Sequence, residues 1–187
     1  MTKSMIYVFL ANGFEEIEAI SVIDVLRRAE YQVETVAVGT KDKRVIGAHN
    51  MVVEADRCEQ EIYCDAAKAI VLPGGMPGTL NLEKSSVVRE AIQHCEERGK
   101  WIAAICAAPS ILGHMGILQG KIATCFPGFE GELTGAQISA DPVCQDGTLI
   151  TGKGPGAAIE FALRLVAAIS GEDLANNLRM SMQCQPM

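Results

Sequence analysis

Apolar residues in this chain fall into short continuous runs separated by stretches of helical spacing, an alternation that predicts successive strands and helices. The run Met5–Leu10 reads as a buried strand, and Ala11-Asn12-Gly13-Phe14 as the turn after it. An apolar series at Ile17, Ile20, Ile23 and Leu26, supported by Val22, Val25 and Ala29, predicts the first helix. Its acidic start (Glu15, Glu16, Glu18) and basic end (Arg27, Arg28) match the helix dipole and set its limits.

Further along, Val33–Val38 reads as a strand closed by Gly39, and the polar stretch Thr40–Asn50 as an exposed hairpin or loop before a short strand at Met51–Val53. Ala69–Leu72 is another apolar run, ended by Pro73-Gly74-Gly75, and Val87, Val88, Ala91, Ile92 and Cys95 form a helical stripe ending near Gly99. Trp101–Ile105 follows as a strand, then Ala107–Met115 as a helix with Pro109 in its first turn and Gly116 as terminator. Ile122–Cys125, Gln137–Ala140 and Thr148–Thr151 are short strand candidates. The glycine-rich Gly152–Gly156 opens a long helix with Ile159, Ala162, Leu165, Val166 and Ile169 on one face; Gly171 ends it, and a short amphipathic tail completes the chain.

Such alternation implies an α/β fold: a mostly parallel sheet with helices on both faces, because right-handed crossovers cover both sides. Ligands in an open sheet of this kind bind beyond the C-terminal strand ends, where loops 11–16, 73–79 and 106–109 should converge.

With 49% apolar residues, the 187-residue chain can bury an ordinary core, and residues 1–187 are expected to form a single domain. The net charge of −7, with basic residues scattered in ones and twos, argues against nucleic acid or an anionic membrane as partner. After Met1–Ser4, the run Met5–Leu10 is too short to cross a membrane and is followed by no cleavage pattern, so a soluble cytoplasmic protein is expected. Seven cysteines, an odd number with no C-x-x-C pair, suit free thiols in a reducing cytosol. His49, His94 and His114 lie far apart with no ligand cluster, so no metal is expected.

The chemistry concentrates at the strand ends. Cys106 directly follows a strand and precedes Ala107-Ala108-Pro109, the position of a nucleophile elbow. The following helix start should favour thiolate, and the N–H of Ala107 can donate to an oxyanion. The competing reading is a small buried hydrophobe, the usual fate of a free cysteine. Gly74 and Gly75 form a side-chain-free turn whose N–H groups can approach an anion or carbonyl oxygen, although a plain tight turn explains them equally. Glu15 and Glu18 share a helix face while Glu16 points elsewhere. A carboxyl beside a thiolate would have a raised pKa and could donate a proton; alternatively, all three acids simply serve the dipole and solvent. His49 reads as a solvated loop residue, and Cys125 as either a second pocket thiol or a strand end.

Four segments together resemble the ThiJ/PfpI superfamily, specifically its Parkinsonism-associated deglycase and ThiJ branch: Leu10–Glu18, Val71–Gly75, Ala103–Pro109 and Thr151–Gly156. The resemblance covers nearly the whole chain. It implies a flavodoxin-like three-layer sandwich and a homodimer. It also implies a site with Cys106 as nucleophile, Glu18 as a protonated carboxyl bonded to it, Gly75 and Ala107 as oxyanion donors, and Glu15 as a pocket wall. The implied activity is cofactor-independent glyoxalase or protein deglycase chemistry on methylglyoxal or its early adducts on amines and thiols. The alternatives are a redox-sensing or chaperone-like protein using an oxidisable Cys106. The family also carries an older association with synthesis of 4-methyl-5-(beta-hydroxyethyl)thiazole monophosphate, a thiamine precursor, for which the sequence shows no phosphate-binding P-loop. Two departures stand out. Ala107 replaces the histidine that follows the cysteine in protease-like and glyoxalase-like members, which argues against a peptidase triad, and Thr124-Cys125-Phe126-Pro127 lacks the pocket histidine of animal members, which leaves more of the proton transfer to Glu18.

Overall fold

A computed structural model describes residues 5–184; Met1–Ser4 and the last three residues of the tail lie outside the described residues. Strand β1 (Met5–Ala11) leads into helix α1 (Glu16–Arg28), then strand β2 (Gln32–Val38). An antiparallel hairpin, β3 (Arg44–Ile46) with β4 (Val52–Glu54), precedes the two-residue strand β5 (Arg57–Cys58). Strand β6 (Ala67–Leu72) is followed by helices α2 (Gly78–Lys84) and α3 (Ser86–Glu97), and β7 (Trp101–Ile105) by α4 (Pro109–His114). Short strands β8 (Ile122–Ala123) and β9 (Gln137–Ile138) pair with each other. The hairpin β10 (Val143–Asp146) and β11 (Leu149–Gly152) then leads to α5 (Ala158–Ser170) and α6 (Glu172–Ser181).

Seven strands form one sheet in the order β10-β11-β7-β6-β1-β2-β5, parallel throughout except for β10 against β11. Strand β1 shows why the sheet is covered on both sides. Its Ile6, Val8 and Leu10 enter the core cluster that includes α1, α5 and α6, while Tyr7, Phe9 and Ala11 enter the one that includes α2, α3 and α4. A parallel strand buried on both faces has no reason to alternate in polarity, which is why it reads as one apolar run. The α/β sandwich expected from the sequence is the fold observed.

Several local expectations need correction. Ile17 and Ile20 do not line the core: they are 57% and 42% exposed, while Glu16 and Glu18 are buried. The helix is apolar around much of its circumference, and the inward position at its start goes to a carboxyl that finds a polar partner in the site. Ile159 is likewise exposed, because α5 turns Phe161 inward instead. Helix α4 spans only Pro109–His114, with Ala107 and Ala108 in the turn before it. Strand β3 falls in the stretch read as a hairpin or loop, whereas β5, β10 and helix α2 lie outside the expected elements; each is short, and α2 begins with Gly-Thr after a proline, a poor helix signature. No helix among the described residues is long and apolar enough to cross a membrane.

Candidate active site

The loops after β1, β6 and β7 meet at the point where strand order reverses, between β1 and β6. Cys106, immediately after β7, has φ +66, a left-handed conformation that costs an L-residue about 1–3 kcal/mol. Two backbone bonds pin this elbow from opposite sides. Cys106 N–H donates to Gly152 O (2.8 Å), and Cys106 O accepts from Phe126 N–H (2.9 Å). The thiol is buried, with the residue only 8% exposed, so it is less openly presented than the sequence alone suggested.

Glu18 reaches this thiol from the first turn of α1 and is 0% exposed. Its Oε2 accepts from Gly74 N–H (2.7 Å), whereas Oε1 is buried without a hydrogen-bond partner; the neighbouring Cys106 thiol lowers the carboxyl's pKa. Gly74 therefore spends its N–H on orienting Glu18 and not on an incoming oxygen. The turn must lack side chains: a Cβ on Gly74 would lie 2.6 Å from Cys106 Cβ and 2.8 Å from Glu18 Oε2. Gly75, with φ +90, is packed against Gly13 and the backbone of Glu15. The backbone N–H groups of Gly75 and Ala107 both act to lower the Cys106 pKa.

Electrostatics bind the two acids into one unit. Burial raises Glu18 to about 7; the nearby Glu15 charge adds to this, and the Gly74 N–H and Cys106 thiol oppose it. Burial, and then the Glu18 charge and hydrogen bond, push the Cys106 thiol up to about 12 against the pull of the Gly75 and Ala107 N–H groups. A six-residue α4 starting three residues later does not overcome these effects, so the expected free thiolate at this elbow is corrected. Loss of the first proton leaves a monoanion in which one proton is shared between carboxyl and sulfur. Thiolate exists at neutral pH to the extent that Glu18 holds that proton.

Glu15 and Glu16 complete the mouth. Glu15 caps α1: its Oε2 accepts from Glu18 N–H (2.8 Å), and its own N–H donates to Gly74 O (2.9 Å). Glu16 is buried rather than solvated, and it holds the loop that carries His49. Its Oε1 accepts from His49 N–H and its Oε2 meets His49 Nδ1, both at 2.7 Å. Burial by itself would raise Glu16, but these bonds hold it below the usual carboxylate range and raise His49. The close approach requires Gly47, where any Cβ would collide with the Glu16 carboxyl. Nothing in the spacing of residues 16 and 49 signals this contact. Glu15, Glu16 and His49 also bring ligand atoms within 4.8 Å of one another, but the His49 bonds already employ both Glu16 oxygens. Cys125 is buried in the core cluster on the other face of the sheet from Cys106, so it packs as an apolar residue.

Comparison with known proteins places these features in context. The DJ-1/PfpI family profile matches residues 4–168. The chain is 37% identical over 175 residues to Protein dj-1beta of Drosophila melanogaster, covering 92% of each chain. It is 32% identical over 178 residues to the glutathione-independent glyoxalase DJR-1.2 of Caenorhabditis elegans, covering 94% of each. Among solved structures, Toxoplasma gondii DJ-1 in an oxidised form superposes with a TM-score of 0.88 at 33% identity, covering 96% of this chain and 98% of that one.

Proposed function

Because the chain belongs to the DJ-1/PfpI family, we propose that its Cys106–Glu18 pair makes it a cysteine-dependent, cofactor-independent enzyme of glyoxalase or protein deglycase type. The observation that carries this reading is the fully buried Glu18 carboxyl, held by Gly74 N–H beside the Cys106 thiol and raised by burial. With Glu18 protonated, the Cys106 thiolate attacks the aldehyde carbon of methylglyoxal; a C–S bond forms, and the aldehyde oxygen takes a proton to give a hemithioacetal. The Gly75 and Ala107 N–H groups receive the developing oxyanion. Glu18, now a carboxylate, moves the C–H proton of the hemithioacetal to the adjacent carbon through an enediol, while the hydroxyl proton of the sulfur-bearing carbon passes to the former ketone oxygen, leaving a thioester of lactate. Water cleaves the thioester, releasing lactate and restoring the thiol. Early adducts on amines or thiols enter the same route once the free aldehyde forms.

The test combines stoichiometric iodoacetamide with peptide mapping and then methylglyoxal turnover. Cys106 is expected to be alkylated first, and Cys106→Ser and Glu18→Gln to lose turnover by about 100-fold or more. Full turnover in Cys106→Ser ends the enzymatic reading.

A second reading, redox sensing, is favoured by the buried, unpartnered Glu18 Oε1 together with the Gly75 and Ala107 N–H groups that lower the Cys106 pKa. A sulfinate on Cys106 would draw on all three donors. Dilute peroxide followed by peptide mapping tests it: oxidation of other cysteines before Cys106 removes it. The seven free thiols suit a reducing compartment. A homodimer is part of the proposal, supported by exposed apolar residues on α1 and the β3–β4 hairpin.

A further inference from the structure

A cleft of about 300 Å³ is lined by Phe126, Pro127, Pro142, Lys153, Pro155 and Ala157. The two backbone bonds that pin Cys106 run to Phe126 on one side and to Gly152, the neighbour of Lys153, on the other. Two walls of the cleft are therefore tethered to the elbow's backbone, Phe126 directly and Lys153 through its neighbour Gly152. Lys153 N–H in turn donates to Pro142 O (2.9 Å), which ties the far wall to the same frame.

Its chemistry is almost purely apolar. Three prolines and an alanine offer no side-chain donor, and the one cation, Lys153, gives its Nζ to Ala140 O (3.2 Å). Phe126 is 43% exposed although it is large and apolar, and its ring rests on Gly154, where a Cβ would stand 3.1 Å from Phe126 Cδ2. An aromatic wall fixed by its backbone next to a nucleophile, with proline-stiffened neighbours, is a preformed surface for a flat or branched apolar group.

We infer that this cleft receives the substituent of an aldehyde held on Cys106, and that Phe126 makes the site prefer 2-oxoaldehydes bearing an aromatic or branched aliphatic group over methylglyoxal. The substrate preference rests on the aldehyde chemistry proposed above, in which that substituent is attached to the carbon next to the one that sulfur attacks.

Two measurements separate the inference from the reading it rests on. In the first, Cys106 alkylation by N-benzyl iodoacetamide and by iodoacetamide is followed by peptide mapping, which requires no turnover. The benzyl reagent should react faster, by about tenfold for a ring that enters an apolar pocket, and Phe126→Ala should abolish the advantage while Phe126→Leu keeps most of it. In the second, kcat/KM for phenylglyoxal relative to methylglyoxal should fall by a similar factor in Phe126→Ala, through KM. Equal alkylation by the two reagents in the wild type overturns the inference, whether a second copy of the chain covers the cleft or the sulfur cannot reach it. Benzyl selectivity that persists in Phe126→Ala overturns the role of Phe126. Benzyl selectivity lost in Phe126→Ala, with no turnover of either aldehyde, overturns the catalytic reading and leaves the apolar subsite supported.

Discussion

At the scale of single residues, the site is governed by where one proton resides. Glu18 is raised to about 7 and Cys106 to about 12, so the pair loses its first proton near neutrality and keeps the second well into the alkaline range. Above about pH 7 the monoanion predominates, and its small thiolate fraction is fixed by the split between the two groups. Cys106 alkylation is therefore expected to rise through about pH 7 and then level off, whereas in Glu18→Gln the plateau disappears and the rate keeps climbing with pH as an isolated buried thiol ionises. Rate-versus-pH profiles of single-turnover alkylation check this, and an identical plateau in the variant would remove Glu18 from the titrating unit. The residue types were legible in the sequence, since an elbow cysteine, a Gly-Gly turn and helix-start acids each have a recognisable chemistry. Their partners were not. That Gly74 serves Glu18, and that Glu16 is buried under His49, depends on loops from distant parts of the chain closing over one another.

Among the elements, those that carry enough apolar residues to bury a face were visible, and those held mainly by neighbours were not. Strands β1, β6 and β7 are continuous runs, and α3 has a regular stripe; β5, β10 and α2 owe their form to pairing and packing that no window of sequence contains. Helix α1 shows a subtler loss: helical spacing assigns Ile17 and Ile20 inward with Ile23, whereas the first turn spends its inward positions on Glu16 and Glu18. Element-level stability also has a polar part. His114, at the end of α4, meets Glu83 of α2 through Nδ1 (2.5 Å) and Glu132 through Nε2 (2.8 Å). With carboxylates on both nitrogens the ring must donate twice, so these bonds, followed by the two charges, raise its pKa. A raised folded-state pKa means that the stabilisation is complete below the unfolded value of about 6.5 and is lost as pH rises through the folded one. Partial exposure screens the pairs, so His114→Gln should cost only about 0.5–1 kcal/mol at about pH 6 and close to nothing at about pH 9. Thermal melts of both proteins across that range give the difference; a gap that widens toward high pH contradicts the assignment.

For the whole molecule, the question is why so much apolar surface stays outside the core. Ile17, Ile20, Ile46, Met51 and Val52 are each between 42% and 58% exposed. They are also gathered, because the hairpin is fastened to the start of α1. Gly13 N–H donates to Ile46 O (2.7 Å), Ala48 N–H to Phe14 O (2.8 Å), and His49 holds Glu16. Ile46 pairs with Val52 across the hairpin register, so the hairpin and α1 each carry exposed apolar side chains on elements tied together by backbone bonds. Scattered surface isoleucines need no explanation, but five exposed apolar side chains on two elements braced together by backbone bonds are what association would bury. A self-complementary contact of standard size, about 800 Å² per partner, could be centred there. The same bracing joins that face to the site, since Glu16 follows Glu15 directly, and Glu15 caps the helix turn that carries Glu18. Sedimentation equilibrium is thus expected to return twice the 20.0 kDa chain mass. Ile20→Lys, a change at an exposed position, should shift that to the monomer without lowering the helix content. If the wild type sediments as a monomer at about 10 μM and above, the apolar face requires another partner and the homodimer is withdrawn.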